Sequence, residues 1–329
     1  MSATWPGETQ TGFLPLFVLI FVFLLLTSQT AAAFTLQIGT DEPGSFSYFA
    51  AKTICSSMKK IDNTVNCKPI PAALPTDTLT NLQVGSLDLA LVNSKTIYDA
   101  FNSLGLFQYI TINYDDLRLL VPFYRSPVTL LVRSNAEILK LDDLVGKRVN
   151  GGAHNSIENR IFKEIMAAKN WHKGDFLLYQ NLPKSNAQDY LALKSGTVQA
   201  MLHVGMHPDD RIRQLLADDK IGLLSLNDAE LQNLIDKRAG FCASEINREI
   251  YPGPGINTKT LGMETLLIAT ADTDATTVKQ VLNALNETKK QVQVAHPAFL
   301  QHKVDMTTLD NSYLRPHPAS RLYYQSTLP

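Results

Sequence analysis

The chain has 329 residues, 45% of them hydrophobic, with 30 Lys plus Arg against 31 Asp plus Glu and a net charge of −1. Its length suggests about two domains or lobes, and its apolar content is enough for a sizeable core. Balanced charge, with no basic run longer than a pair, argues against binding to nucleic acid or to an anionic membrane surface.

The N-terminus departs from this average. Phe13 to Leu26 is apolar, broken only by Pro15, and is followed by a short polar stretch and then Ala31-Ala32-Ala33. An apolar core followed by a small-residue site predicts a secretory leader over 1–33, cleaved before Phe34. The alternative is an uncleaved anchor, because the first twelve residues carry no Lys or Arg and include Glu8. The apolar run is shorter than the ~20 residues of a spanning helix. Export to the periplasm is therefore the expected fate of the remainder.

From Thr35 the pattern becomes short apolar runs alternating with amphipathic stretches. Residues 34–38 alternate with period two and end at Gly39, which predicts a strand and a turn. A helix is expected over 49–60, a second over 76–84 with Gly85 as its stop, and a strand over 87–92. Strand and helix in alternation predict an α/β fold with a largely parallel sheet. Two strands, 117–121 and 128–132, are expected on either side of Pro122-Phe123-Tyr124-Arg125-Ser126-Pro127, read as the passage from one lobe to the other. A second α/β unit follows. It has a short helix at 141–144, a strand from 146, a glycine-bearing loop 151–156, an amphipathic helix 157–169, a helix 188–193, and strands 198–204 and 221–226. The chain then returns through a strand at 265–270 to a long helix over 274–294. The lobes are read as 34–122 plus 262–329, and 123–261.

Cys55 and Cys67 lie twelve apart, and an oxidising compartment would favour a disulfide between them; two buried thiols are the alternative. Cys242 is left over and reads as a buried or half-buried thiol, since no activating base is near it in sequence. His203 and His207 have the i, i+4 spacing of a metal pair, but Gly205 and Pro208 place them on a strand end and loop. No nucleophile elbow, phosphate loop or dinucleotide fingerprint occurs. Neither catalysis nor a cofactor or metal is expected.

The order and spacing of several motifs resemble the TAXI branch of the substrate-binding proteins of TRAP transporters. They run from Gly39-Thr40 through the segment 81–92, Tyr124 with Pro127 and Arg133, Lys147-Arg148-Val149, Gly152-Ala153, Ser156, His207-Pro208, Gly262 and Ala295-His296-Pro297 to Pro316-His317-Pro318-Ala319 with Tyr323-Tyr324. Cys55 and Cys67 also match cysteines found in part of that family. The resemblance implies a bilobal periplasmic-binding-protein clamp of type II, two α/β lobes joined by hinge strands. It implies a receptor that delivers a small organic solute such as a carboxylate or amino acid to membrane permease subunits. A monomer is expected. The family's first loop, Gly-Thr-Gly-Gly followed by paired tyrosines, is here 39–48 with Tyr48 alone in place. Its Ser-Thr-Gly-Gly loop is Pro71-Ala72-Ala73-Leu74, and its Ser-Asp pair is Ser94-Lys95. The scaffold is kept while the site chemistry is altered.

Ligands of open α/β sheets bind beyond the carboxyl ends of the strands. The candidate ligand residues are therefore Thr40, Ser45, Phe46, Tyr48, Asn93, Ser94, Tyr124, Arg125, Asn155, Ser156 and Met206. Ser45 and Ser156 read equally as helix N-caps. Arg125 could hold a carboxylate bidentately or stand in solvent. An exported interaction protein with a degenerate cleft is the alternative function, and an exported enzyme ranks below it.

Overall fold

The computed structural model describes residues 1–3, 7, 35–184, 187–217, 219–251, 257–296, 298 and 312–327. The expected leader lies almost wholly outside the described residues. Among those described, no helix is long and apolar enough to cross a membrane.

From Thr35 onward the chain forms a compact unit around one ten-stranded sheet. Its first part comprises β1 (Thr35–Thr40), α1 (Phe46–Ile61), β2 (Asn66–Pro71), α2 (Pro75–Gln83), β3 (Leu89–Asn93) and α3 (Ser94–Phe101). The long β4 (Leu117–Arg133) leads to β5 (Arg148–Asn150), α4 (Ile157–Ala168), β6 (Leu178–Gln180), α5 (Gln188–Ser195) and β7 (Ala200–Val204). Then come α6 (Asp210–Leu216), β8 (Ile221–Leu224), α7 (Ala229–Asp236) and β9 (Cys242–Ile246). The long β10 (Thr258–Thr270) returns to α8 (Ala275–Glu287), α9 (Lys289–Ala295) and α10 (Pro318–Thr327). The strand order is β2-β1-β3-β10-β4-β7-β5-β6, with β8 on β4 and β9 on β10.

The sheet is mixed rather than largely parallel. β1 pairs in parallel with β2 and β3, and β5 with β6 and β7, as βα units require. β4 and β10 pair antiparallel with each other and with β3, β7, β8 and β9. The two strands expected at 117–121 and 128–132 are one. Pro122 pairs with Leu266 and Tyr124 with Thr265, so Phe123 sits at a register shift where one ladder bond is already lost. Pro127 faces Gly262 at the point where β4 changes partners and begins to pair with β7 at Val128. A missing N–H is tolerated at such irregularities. β10 likewise begins seven residues before the expected 265, and the expected long helix is divided at Thr288.

Four buried apolar clusters divide along these two strands. Val121 and Leu267 pack with α1 and α8, and Leu119 and Leu266 with α2 and α3. Val128, Leu130 and Met263 pack with α4, whereas Leu131 packs with α5 and α6. β4 and β10 thus each contribute to cores on both sides of their middle segments.

Candidate functional site

β1 ends in a loop whose polar groups satisfy one another. The Thr40 hydroxyl is fully buried and donates to the Asp41 carbonyl. The Ser47 hydroxyl donates to the Asp41 carboxylate at 2.8 Å. Ser45 caps α1 by accepting from the Tyr48 amide at 3.2 Å. Phe46 stacks on Tyr124 at a centroid distance of 4.3 Å, and Lys52 lies over the Tyr48 ring. Burial raises the pKa of the Asp41 carboxyl against the opposing effects of the Ser47 hydrogen bond and the Arg160 charge.

β5 ends in the loop 151–156. A Cβ on Gly151 would stand 2.1 Å from the Tyr179 hydroxyl, so a larger residue there would displace that ring. Asn155 is exposed in the left-handed region at φ 63°, a conformation Asn adopts more readily than most residues. Ser156 caps α4 by accepting from the Asn159 amide.

The first turn of α4 carries charges that sequence reasoning missed. Glu158, 3% exposed, accepts from the Val204 amide and pairs with Lys184. Asn159, 1% exposed, donates from its amide to the Gly151 carbonyl, which leaves its Oδ1 as the acceptor toward the Tyr179 hydroxyl. Arg160 Nε and Nη1 are also buried without hydrogen bonds. The nearest carboxylate to Arg160 is that of Asp99 on α3, 3.7 Å away, an ion pair beyond hydrogen-bond reach. Burial lowers the Arg160 pKa, and the charges of Asp99, Asp41 and Glu158 oppose that shift. Asp41 from the first part and Glu158 and Arg160 from the second therefore share one partly desolvated neighbourhood.

The remaining candidates fall on either side of it. Asn93 caps α3 through the Thr96 amide. The fully buried Ser94 hydroxyl donates to the Gly240 carbonyl at 2.8 Å and accepts from the Glu264 amide at 3.0 Å, so it is engaged in structure. The Tyr124 hydroxyl donates to the Gly205 carbonyl at 2.7 Å, and burial holds its pKa well above the ordinary value. Met206 is half-buried beside Gly205, just before the cis bond between His207 and Pro208.

Arg125 points elsewhere. Its side chain is 47% exposed and pairs with Glu264 at 3.3 Å. With Tyr124 it lines a cavity of about 560 Å³ whose other polar walls are Asn227, Gln232, Ser244, Glu245, Lys259 and Thr260. None of the candidates at 40–48, 93–94, 155–156 or 206 lines that cavity. The candidates thus separate into a polar joint around Asp41, Glu158 and Arg160, and a cavity beside β4.

Cys55 on α1 and Cys67 on β2 form a disulfide, with 5.1 Å between their α-carbons. Cys242 is half-buried, and burial pushes its thiol up to about 12, far from the thiolate a nucleophile needs. His203 and His207 face tyrosines: His203 Nδ1 lies 2.8 Å from the Tyr190 hydroxyl, and His207 Nδ1 2.5 Å from that of Tyr251.

A family model described as the NMT1-like family matches residues 38–326. Among solved structures, the chain is similar to MatC from Rhodopseudomonas palustris with bound malate, at 15% identity and a TM-score of 0.52, covering 82% of this chain and 89% of that one. It is also similar to a TctC solute binding protein from Polaromonas, at 15% identity and a TM-score of 0.50, covering 81% of this chain and 88% of that one. The shared fold is the α/β, two-lobed binding-protein clamp.

Proposed function

Because this chain belongs to the NMT1-like family, we propose that it is an extracytoplasmic receptor that captures a small organic solute between two lobes. The lobes are taken as 34–122 plus 262–329, and 123–261, with β4 and β10 as the connecting strands. A periplasmic location and a membrane permease of the TRAP type as partner complete the reading, on the strength of the TAXI-like motifs.

The observation that carries it is the set of unsatisfied buried atoms at the start of α4. Arg160 Nε and Nη1 are donors without hydrogen-bond acceptors. Each such atom costs on the order of 1–3 kcal/mol in a folded protein, so native structures leave few of them. A solute lodged beside Asp41, Glu158 and Arg160 would satisfy them from one side while touching the other. Ligand contact with both lobes favours the closed arrangement. Small carboxylates are the first solutes to try, since a guanidinium matches them and the MatC neighbour carries malate.

Thermal unfolding of the mature chain against a panel of carboxylates and amino acids tests the reading. A solute at a hundred times its Kd adds about 2.7 kcal/mol of stability. Arg160→Gln should abolish the shift for any solute that produces one. A panel without a single shift, together with native mass spectra free of a co-purified molecule, would leave the exported interaction protein as the better account.

A further inference from the structure

We infer that Lys95, Asp99, Arg160 and Glu164 form an ionic clasp that makes closure of the two lobes an all-or-none event. The inference rests on the two-lobe reading above, but not on which solute is captured.

Lys95 opens α3 and is 2% exposed, an unusual burial for a lysine. Its ammonium lies 2.5 Å from Asp99 Oδ1 one turn along its own helix and 3.0 Å from Glu164 Oε1 on α4. The second Asp99 oxygen faces Arg160 on α4 at 3.7 Å. Two cations and two carboxylates therefore alternate across the contact between α3 and α4. The surrounding walls also come from both lobes. The Phe241 ring lies 5.9 Å from the Lys95 ammonium, and the Tyr98 ring 5.4 Å. Gly240 packs so closely that a Cβ on it would stand 2.5 Å from the Lys95 α-carbon. Ser94 ties the same helix start to the Gly240 carbonyl.

The physical consequence follows from desolvation. A buried charge is tolerated only when its pairing is complete, and removal of one partner destabilises the form in which it is buried. An opening that parts α4 from α3 while the Ser94–Gly240 bond holds would keep Lys95 under Gly240 and Phe241, away from water, and take Glu164 and Arg160 out of reach. The closed form, in which Lys95 is paired with Asp99 and Glu164, and the open form with hydrated charges are the two favourable states, and intermediate openings are penalised. Asp99 shows the balance within the clasp: burial raises its pKa, and Lys95 opposes that shift.

The test measures lobe separation in the full mature chain without added solute. Spin labels on Asp77→Cys and Lys163→Cys, in a Cys242→Ser background, report the distance between α2 and α4. Both positions are exposed. Glu164 is the position to vary, because its side chain is 38% exposed and its replacement burdens the fold least. The parent should give a single short-distance population. Glu164→Gln should add a longer one, and Glu164→Lys, which sets like charges together, should make the longer one the majority. Circular dichroism confirms that each variant is folded. An unchanged distance distribution in folded Glu164→Lys overturns the clasp. Failure of every solute to draw the longer population of Glu164→Lys back to the short distance counts against capture instead, so the two readings fail separately.

Discussion

The β1–β3 region and the β5–β7 region are assembled from the same βα units but are held internally by different means. In the first, α1 and β2 are stapled by the Cys55–Cys67 disulfide, and the loop after β1 closes on itself through Asp41, Ser45 and Ser47. In the second there is no staple among the described residues, and buried polar groups do the corresponding work. The Asn150 side chain accepts from the Gly152 and Leu182 amides, the Lys169 ammonium meets Asp142, Asp228 and Glu230, and two buried histidines bond to tyrosines. The loop after β1 is thus closed on itself, whereas the start of α4 presents Arg160 with donors to spare. The second region should therefore respond to solvent conditions and solute more than the first.

Acid should expose that contrast most strongly. Burial lowers the His207 pKa from 6.5 to about 4 and holds that of His203 well below its ordinary value. The unfolded chain takes up these protons as pH falls through 6.5, while the folded chain refuses them until about pH 4. The stabilisation is complete above pH 6.5 and is lost between there and about 4, at about 3 kcal/mol for His207 with His203 acting in the same direction. Hydrogen exchange at pH 7 and pH 5 should show the loss of protection concentrated in β7 and α6; equal loss in β1 and α1 would erase the distinction between the regions.

Removing the staple should act on the opposite side. The double variant Cys55→Ser, Cys67→Ser opens a loop of twelve residues, which in the chain-entropy model costs about 3 kcal/mol. Chemical denaturation should record that loss, with amide exchange accelerating in α1 and β2 and not in α4.

The smallest effect sharpens the comparison of the two caps. Ser45→Ala and Ser156→Ala each remove one N-cap hydrogen bond, worth about 1 kcal/mol. Both should lower the melting temperature alike, but only Ser156→Ala, at the start of the helix bearing Asn159 and Arg160, should weaken solute binding in calorimetry. Equal affinities in the two variants would remove the reason for giving Arg160 the main hold on the solute.

Much of this architecture was legible locally. Hydrophobic spacing with a serine cap marked α1 and α4, and Gly85 and Gly196 marked helix ends because their positive φ suits glycine. The continuity of β4 was not legible, since two prolines read as breaks unless a bulge and a change of partner accommodate them. α3 was missed because it begins at Ser94 directly after β3, with no linker to announce it. Arg160 was missed for a related reason. On a helical pattern an arginine one position before the apolar Ile161 reads as solvated, and only the approach of α3 buries it. Arg125, singled out by its place between prolines, turned toward Glu264 and solvent instead.

What the sequence determined alone was the helices α1, α2 and α4 with their ends, the strands β1, β3 and β7, and the closeness of the two cysteines, because these depend on residues within a turn or a few strand positions of one another. Tertiary structure decided which charges lost their water. Lys95, Glu158 and Arg160 carry no local mark of burial, and their chemistry arises only where helices distant in sequence exclude solvent from between them.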